Sequence, residues 1–417
     1  MIIPRIILGK LLGELEKPFV SIIIGPRQVG KTVLMRMIEE KVGLKTVYLD
    51  VENPQDALAL GSGIESLIAE IGTGKQVLLL DEFHRIRDAL LLFKQLKDAY
   101  PEIKVYASGS SSIEIHSHLK QSAVGRVRRT RIFPLSFPEW CQNKIDMPLF
   151  NLDPKRKLPP REENRLEGLL DEFIVWGGMP EQAALSDDME KREILSEICA
   201  LYLEKDVRSL LRDEEILRFN EFLRLVCLQL GQLMNRSRFG SQLGISSRQV
   251  EKQLKVMEHT FVYRPITTDY ANSTKRLVKS PKIYWYDNGV RNALVRDFRR
   301  RNERPDGGAL LENHVFCELD KAAGIDIDIL FHRTQDGQEV DFVLERDRQK
   351  LLVEVKSTLM RDTVPRAICD MLTRDDALGA VILNNRFHDM RDVNSKPVLF
   401  LPLTLTHCIP NLLRNLG

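Results

Sequence analysis

Three short stretches hold residues able to do chemistry together. GPRQVGKT at 25–32 has the spacing of a phosphate-binding loop, lying after an apolar strand-like run and before a helix-like one. Its backbone N–H groups (Gly25, Pro26's neighbours Arg27, Gln28 and Val29, then Gly30) and the helix start would cradle phosphates. Lys31 would reach the β- and γ-phosphates of ATP and Thr32 would hold Mg²⁺. LLLDE at 78–82 supplies the partner acids, Asp81 toward Mg²⁺ through water and Glu82 to polarise the attacking water. EVDFVLERDRQKLLVEVKS at 339–357 reads as two strands and a charged turn, with Asp341 on the first and Glu354 and Lys356 on one face of the second. With Glu312 on a preceding helix, these acids could bind Mg²⁺ for phosphodiester attack, with Lys356 positioning water or stabilising charge. An ordinary surface acid–lysine pair is the alternative, as is a fold kept without its chemistry.

A polar sensor for the γ-phosphate is expected at Ser108 or Ser110, in YASGSSS, with a plain serine-rich turn as the alternative. Arginines 126, 128, 129 and 131 follow, and Arg126 is the candidate to reach a neighbouring subunit's phosphates.

Apolar strands at 19–25, 46–51, 76–82 and 104–110 alternate with helical spacing, which predicts a parallel sheet covered on both faces. Residues 143–164 read as a Pro- and charge-rich loop, and 164–212 as helices broken at WGGMP. Residues 216–263 predict three helices, the last two joined by a turn at Gly244, which is helix-turn-helix spacing. Its second helix would offer Arg248, Lys252 and Lys255 to DNA, flanked by Arg236, Arg238, Lys275, Arg276, Lys279 and Lys282. A domain packed on its neighbours, with an ordinary basic face, is the alternative. From 309 the expected order is helix, three strands, helix, strand.

GPRQVGKT, LLLDE, SGSSS, Gly125–Arg126, PLSF (134–137), GGMP (177–180) and KSPKIYWYDNG (279–289) together resemble a large prokaryotic family of AAA-type ATPases. Its members carry a winged-helix region and a C-terminal domain of uncharacterised function similar to PD-(D/E)xK nucleases. The resemblance covers nearly the whole chain. It implies an AAA+ core, ATP hydrolysis with Mg²⁺, and a homo-oligomer, for instance a hexamer. Where such motifs commonly have Thr at the sensor turn, this chain has Ser108, which keeps the hydroxyl. The expected fold is therefore α/β: a P-loop AAA+ core and helical lid at 1–212, a winged helix at 213–300, and a restriction-endonuclease-like α/β domain at 301–417.

With 417 residues, 43% hydrophobic and 29% charged, the chain can build several cores. A net charge of +2 argues for no partner by itself, so any nucleic-acid surface must be local. Six scattered cysteines without a CxxC pair disfavour zinc and disulfides and suit a reducing cytoplasm. No apolar run reaches membrane-spanning length, and the first residues lack the pattern of a signal peptide. An ATP-controlled regulatory switch, whose nuclease-like domain only binds a partner, is the alternative to an ATPase acting on DNA.

Overall fold

The computed structural model describes residues 3–416 except 62, 87, 110–124, 143, 209, 270–279, 360, 362 and 375. Ser110, Lys275, Arg276 and Lys279 thus lie outside the described residues. The chain divides into two compact units.

The first unit comprises residues 1–134, 201–210 and 259–262. Five strands form its sheet: β1 (Val20–Ile24), β2 (Thr46–Asp50), β3 (Gln76–Asp81), β4 (Ile103–Gly109) and β5 (Val127–Arg131). All pair in parallel, in the order β2-β3-β4-β1-β5. VSIII, QVLLLD and IKVYASG are buried along their whole length, as strands covered on both faces must be. Lys104 is accommodated in β4 because its ammonium reaches the carbonyl of Phe19 at 2.8 Å. One face packs on the helix Lys31–Lys41 through Leu34, Met35 and Ile38, against Ile23, Leu79 and Tyr106. Pairing of Ile23 with Ser108, and of Asp50 with Asp81, brings the C-terminal ends of β1, β3 and β4 to one edge. Open parallel sheets bind their ligands at that edge.

The second unit comprises 135–200, 211–258 and 263–417. Its first helices are Pro160–Trp176, Pro180–Ala183 and Asp188–Leu201. The loop expected to 164 gives way at Pro160, because proline suits a first helical turn that lacks N–H partners anyway. The helices Asp213–Leu228, Arg236–Leu243 and Ser247–His259 follow. Gly244, at φ +63°, ends the second of these. The antiparallel pair β6 (Tyr263–Ile266) and β7 (Lys282–Trp285) comes next.

Three motifs of the resemblance meet inside this unit. Leu135 N–H donates to Gly178 O at 2.7 Å. A Cβ on Gly178 would stand 2.2 Å from the Leu135 carbonyl, so PLSF and GGMP can approach only through glycine. Asp287 of YDNG is buried and accepts from Gly178 N–H at 2.7 Å and Val290 N–H at 2.9 Å. These motifs are a packing junction.

The helix Gly307–Ala323 leads into a mixed sheet of six strands, ordered β12-β13-β11-β10-β9-β8. The strands are β8 (Asp328–Arg333), β9 (Glu339–Arg346), β10 (Gln349–Val355), β11 (Ala377–Asn384), β12 (Asp389–Val393) and β13 (Lys396–Pro402). Asp347 and Arg348, both at positive φ, make the two-residue turn between β9 and β10. The helix Arg366–Leu372 sits between β10 and β11 in the chain and packs Ile368 and Met371 on Val343, Leu352 and Ile382. β12 and β13 extend the sheet beyond the order read from sequence. β12 is a polar edge strand with almost no buried residue, so it carries no alternating signal. No helix among the described residues is long and apolar enough to cross a membrane.

Candidate nucleotide site and an acidic cluster

The loop after β1 closes tightly. A Cβ on Gly25 would lie 2.3 Å from the Ile132 carbonyl, and Gly30 turns into the helix at φ +91°. Lys31 is folded back, donating to Gly25 O at 3.1 Å and Pro26 O at 2.8 Å. Burial lowers its pKa to about 8, against the opposing pull of Glu82, Asp206 and Asp81.

Asp81, at the end of β3, gathers three hydroxyls. Thr32 donates at 2.7 Å, Tyr48 at 2.6 Å, and buried Ser108 bonds to the other carboxylate oxygen. Glu82 follows at φ +53°, a left-handed turn that aims its side chain at His84, whose Nδ1 lies 3.1 Å from the carboxylate. Burial pushes Glu82 up, but the His84 contact and the Lys31 charge outweigh it and hold the acid at about 2. Arg27 leaves the loop sideways, its Nε 2.7 Å from Asp206. Burial raises the Asp206 pKa, opposed by Arg27.

The loop, Lys31, Thr32, Asp81, Glu82 and Ser108 thus converge on one edge. Arg126 does not. Val20 N–H donates to its carbonyl at 2.9 Å, at the start of β1, and its guanidinium pairs with Asp98 at 3.0 Å. A strand's length, about 15–20 Å, separates it from the same chain's loop. Tyr48 and Asp206 were not singled out by sequence. Tyr48 reads as one more residue of an apolar strand, and Asp206 as one acid in a helix-like stretch.

In the second unit, Asp341 accepts from Val355 N–H at 2.8 Å, and Glu354 pairs with Lys356 at 2.6 Å. Asp341 is raised far above the carboxylate range by burial, then by the charges of Glu312 and Glu354. Burial likewise raises Glu354 despite Lys356. Lys282, expected at a DNA-facing surface, is instead only 3% exposed. Its ammonium lies 2.9 Å from Glu312 and 2.5 Å from Glu339. Tyr284, two residues on and so on the same strand face, donates to Glu312. That i, i+2 pattern was the available signal. Glu312 lies near enough to help raise both Asp341 and Glu354, yet among the described residues no three His, Cys, Asp or Glu gather as a metal site.

On the helix Ser247–His259, Arg248, Lys252 and Lys255 are all exposed. Lys252 pairs with Glu215 at 2.8 Å and Lys255 with Glu251 at 3.1 Å.

Residues 17–141 match the family described as AAA domain. Residues 167–301 and 307–403 match two domains of unknown function, DUF8612 and DUF4143. The uncharacterized protein Rv2008c of Mycobacterium tuberculosis is 25% identical over 84% of this chain and 73% of its own length. MJ1544 of Methanocaldococcus jannaschii, also uncharacterized, is 26% identical over 80% of this chain and 74% of its own length. Among solved structures, the RuvB Holliday junction branch migration motor of Thermotoga maritima aligns over 63% of this chain and 89% of its own, at 15% identity. Its TM-score of 0.28 adds nothing to the fold read from the strand order. The parallel sheet, its glycine loop and the AAA-domain match define an AAA-type P-loop ATPase-like fold in the first unit.

Proposed function

We propose that this chain binds ATP with Mg²⁺ and hydrolyses it, as a homo-oligomer acting on DNA. The observation that carries this reading is the meeting of Lys31, Thr32, Asp81, Glu82 and Ser108 at the ligand-binding edge of a parallel sheet. Backbone N–H groups of 25 and 27–30 and the following helix start receive the phosphates. Lys31 exchanges the Gly25 and Pro26 carbonyls for phosphate oxygens. Thr32 and Asp81 are hard oxygen donors already in contact, a set that suits Mg²⁺. When bound, the ion would neutralise charge on the β- and γ-oxygens. Glu82 orients water, and Ser108 holds Asp81 in register. Arg126, paired with Asp98 in its own chain, is the residue proposed to serve a neighbouring subunit's phosphates. The experiment is phosphate release by the full chain with and without duplex DNA. Stimulation by DNA supports the reading, and turnover indifferent to DNA moves it to a switch that acts on protein.

Three helices followed by the pair β6–β7 support a winged helix at 213–300, and the helix–strand order from 307 supports a nuclease-like fold beyond it. Arg248, Lys252 and Lys255 are the proposed phosphate contacts. The acidic partners of Lys252 and Lys255 weaken but do not abolish this, because exposed ion pairs contribute little and are screened by salt. Arg248→Ala with Lys252→Ala is expected to weaken duplex binding roughly tenfold and to lower its salt dependence by about two phosphate contacts. Unchanged binding in a gel-shift titration would move the contact elsewhere.

For the C-terminal domain a second reading is favoured by Lys282. Metal-dependent cleavage needs Glu312, Asp341 and Glu354 free for Mg²⁺. Glu312 is instead bound by Lys282 and Tyr284, and Glu354 by Lys356. This donor set does not fit a metal as arranged, so we derive no cleavage step and read the domain as a scaffold that binds a partner. Supercoiled DNA with Mg²⁺ or Mn²⁺, with and without ATP, is expected to stay intact. Nicking that disappears in Lys356→Ala would restore the nuclease reading.

A further inference from the structure

Arg27 and Lys31 are the two cations of the phosphate loop, and neither waits in open solvent. Lys31 is spent on two loop carbonyls. Arg27 is held by Asp206, a residue only 5% exposed. Asp206 belongs to the π-helical turn Tyr202–Val207, a rare geometry that often marks functional positions. The turn is fixed at its start as well, where the Tyr202 hydroxyl bonds to Thr260 at 3.0 Å. The stretch 201–210 belongs to the first unit, yet the chain on either side of it, 135–200 and 211–258, belongs to the second.

A triphosphate entering this loop brings several negative charges beside a buried carboxylate. Like charges at such range in a poorly solvated site repel strongly, and a phosphate competes for the same guanidinium with more oxygens and more charge. We propose that Asp206 is a built-in substitute anion, which holds Arg27 in the nucleotide-free loop and is displaced when the phosphates arrive. Binding then loosens the turn 202–207. The helices Asp188–Leu201 and Asp213–Leu228, joined to it through the backbone, receive the signal directly. Asp206 is a positioning residue in this scheme and does no chemistry.

The inference rests on the ATP-binding reading, and one set of measurements separates the two. Full-length wild type, Asp206→Asn and Arg27→Gln are titrated with a fluorescent ATP analogue, and hydrogen exchange of 201–208 is followed with and without a non-hydrolysable ATP. Asp206→Asn is expected to bind the analogue about fivefold more tightly, the lower end of ordinary coupling between sites. Its 201–208 segment exchanges fast already without nucleotide, whereas in wild type exchange rises only on binding. Arg27→Gln binds more weakly and exchanges fast in both states. Nucleotide binding that leaves 201–208 equally or better protected overturns the displacement, as does weaker binding by Asp206→Asn. A wild type that binds no nucleotide at all removes the ATP reading and the sensor with it.

Discussion

Lys31→Ala protein is expected to release phosphate from ATP at least about 10²–10³-fold more slowly than wild type, the scale set by losing one preorganised donor to developing charge. The reason lies in what surrounds the ammonium. Glu82, Asp206 and Asp81 all act on Lys31. Without its charge, phosphates would have to bind beside three carboxylates with Arg27 alone to answer them, and Arg27 is already paired. Affinity should therefore fall together with turnover. Lys31→Met keeps the apolar stem and should behave the same way, which excludes a cavity as the cause. Thermal unfolding of both variants checks that the sheet survives. A Lys31→Ala rate within a few-fold of wild type would mean that this loop is not where ATP is turned over.

Glu82→Gln should separate binding from chemistry. Gln keeps the size and one acceptor oxygen but cannot polarise water as an anion can, so turnover should drop about 10²–10⁴-fold. Affinity for ATP should change little, because Glu82 is assigned to water and not to phosphate. With its pKa held at about 2, this acid is always ionised near neutrality but is a feeble proton acceptor. The Lys31 charge is part of the cause, and phosphates that engage Lys31 would relax it. Glu82 thus becomes more basic as the substrate binds, closer to what proton transfer needs. Stopped-flow phosphate release beside equilibrium binding measures both quantities. Unimpaired turnover by the Gln variant removes Glu82 from the reaction.

The phosphate loop could be read from sequence because its chemistry is contiguous. Eight residues after an apolar run supply glycines, lysine and threonine, and the sheet only has to bring Asp81 alongside. Asp206 was hidden because its meaning depends on a fold that returns the chain to Arg27 after the whole first sheet has been built. Lys282 shows the converse limit. Charge is visible in a sequence and burial is not, so a lysine among basic neighbours looked like surface until β7 turned it onto Glu312 and Glu339. PLSF, GGMP and YDNG were recognisable as marks of a family without a reason. Their reason is steric and lies between segments far apart in the chain, where only glycine and one buried Asp fit.

The first unit takes residues 1–134, then two short returns at 201–210 and 259–262. On the ribosome, its sheet is complete long before its last piece exists. The stretch from 134 to 262, at about 5–20 residues per second, takes roughly 6–26 s to synthesise. Throughout that interval Arg27 has no Asp206 and then Asp206 has no Thr260-anchored turn. A nascent chain could therefore meet cellular nucleotide before its own substitute anion has been made, and ATP would enter folding as a ligand before it enters function as a substrate.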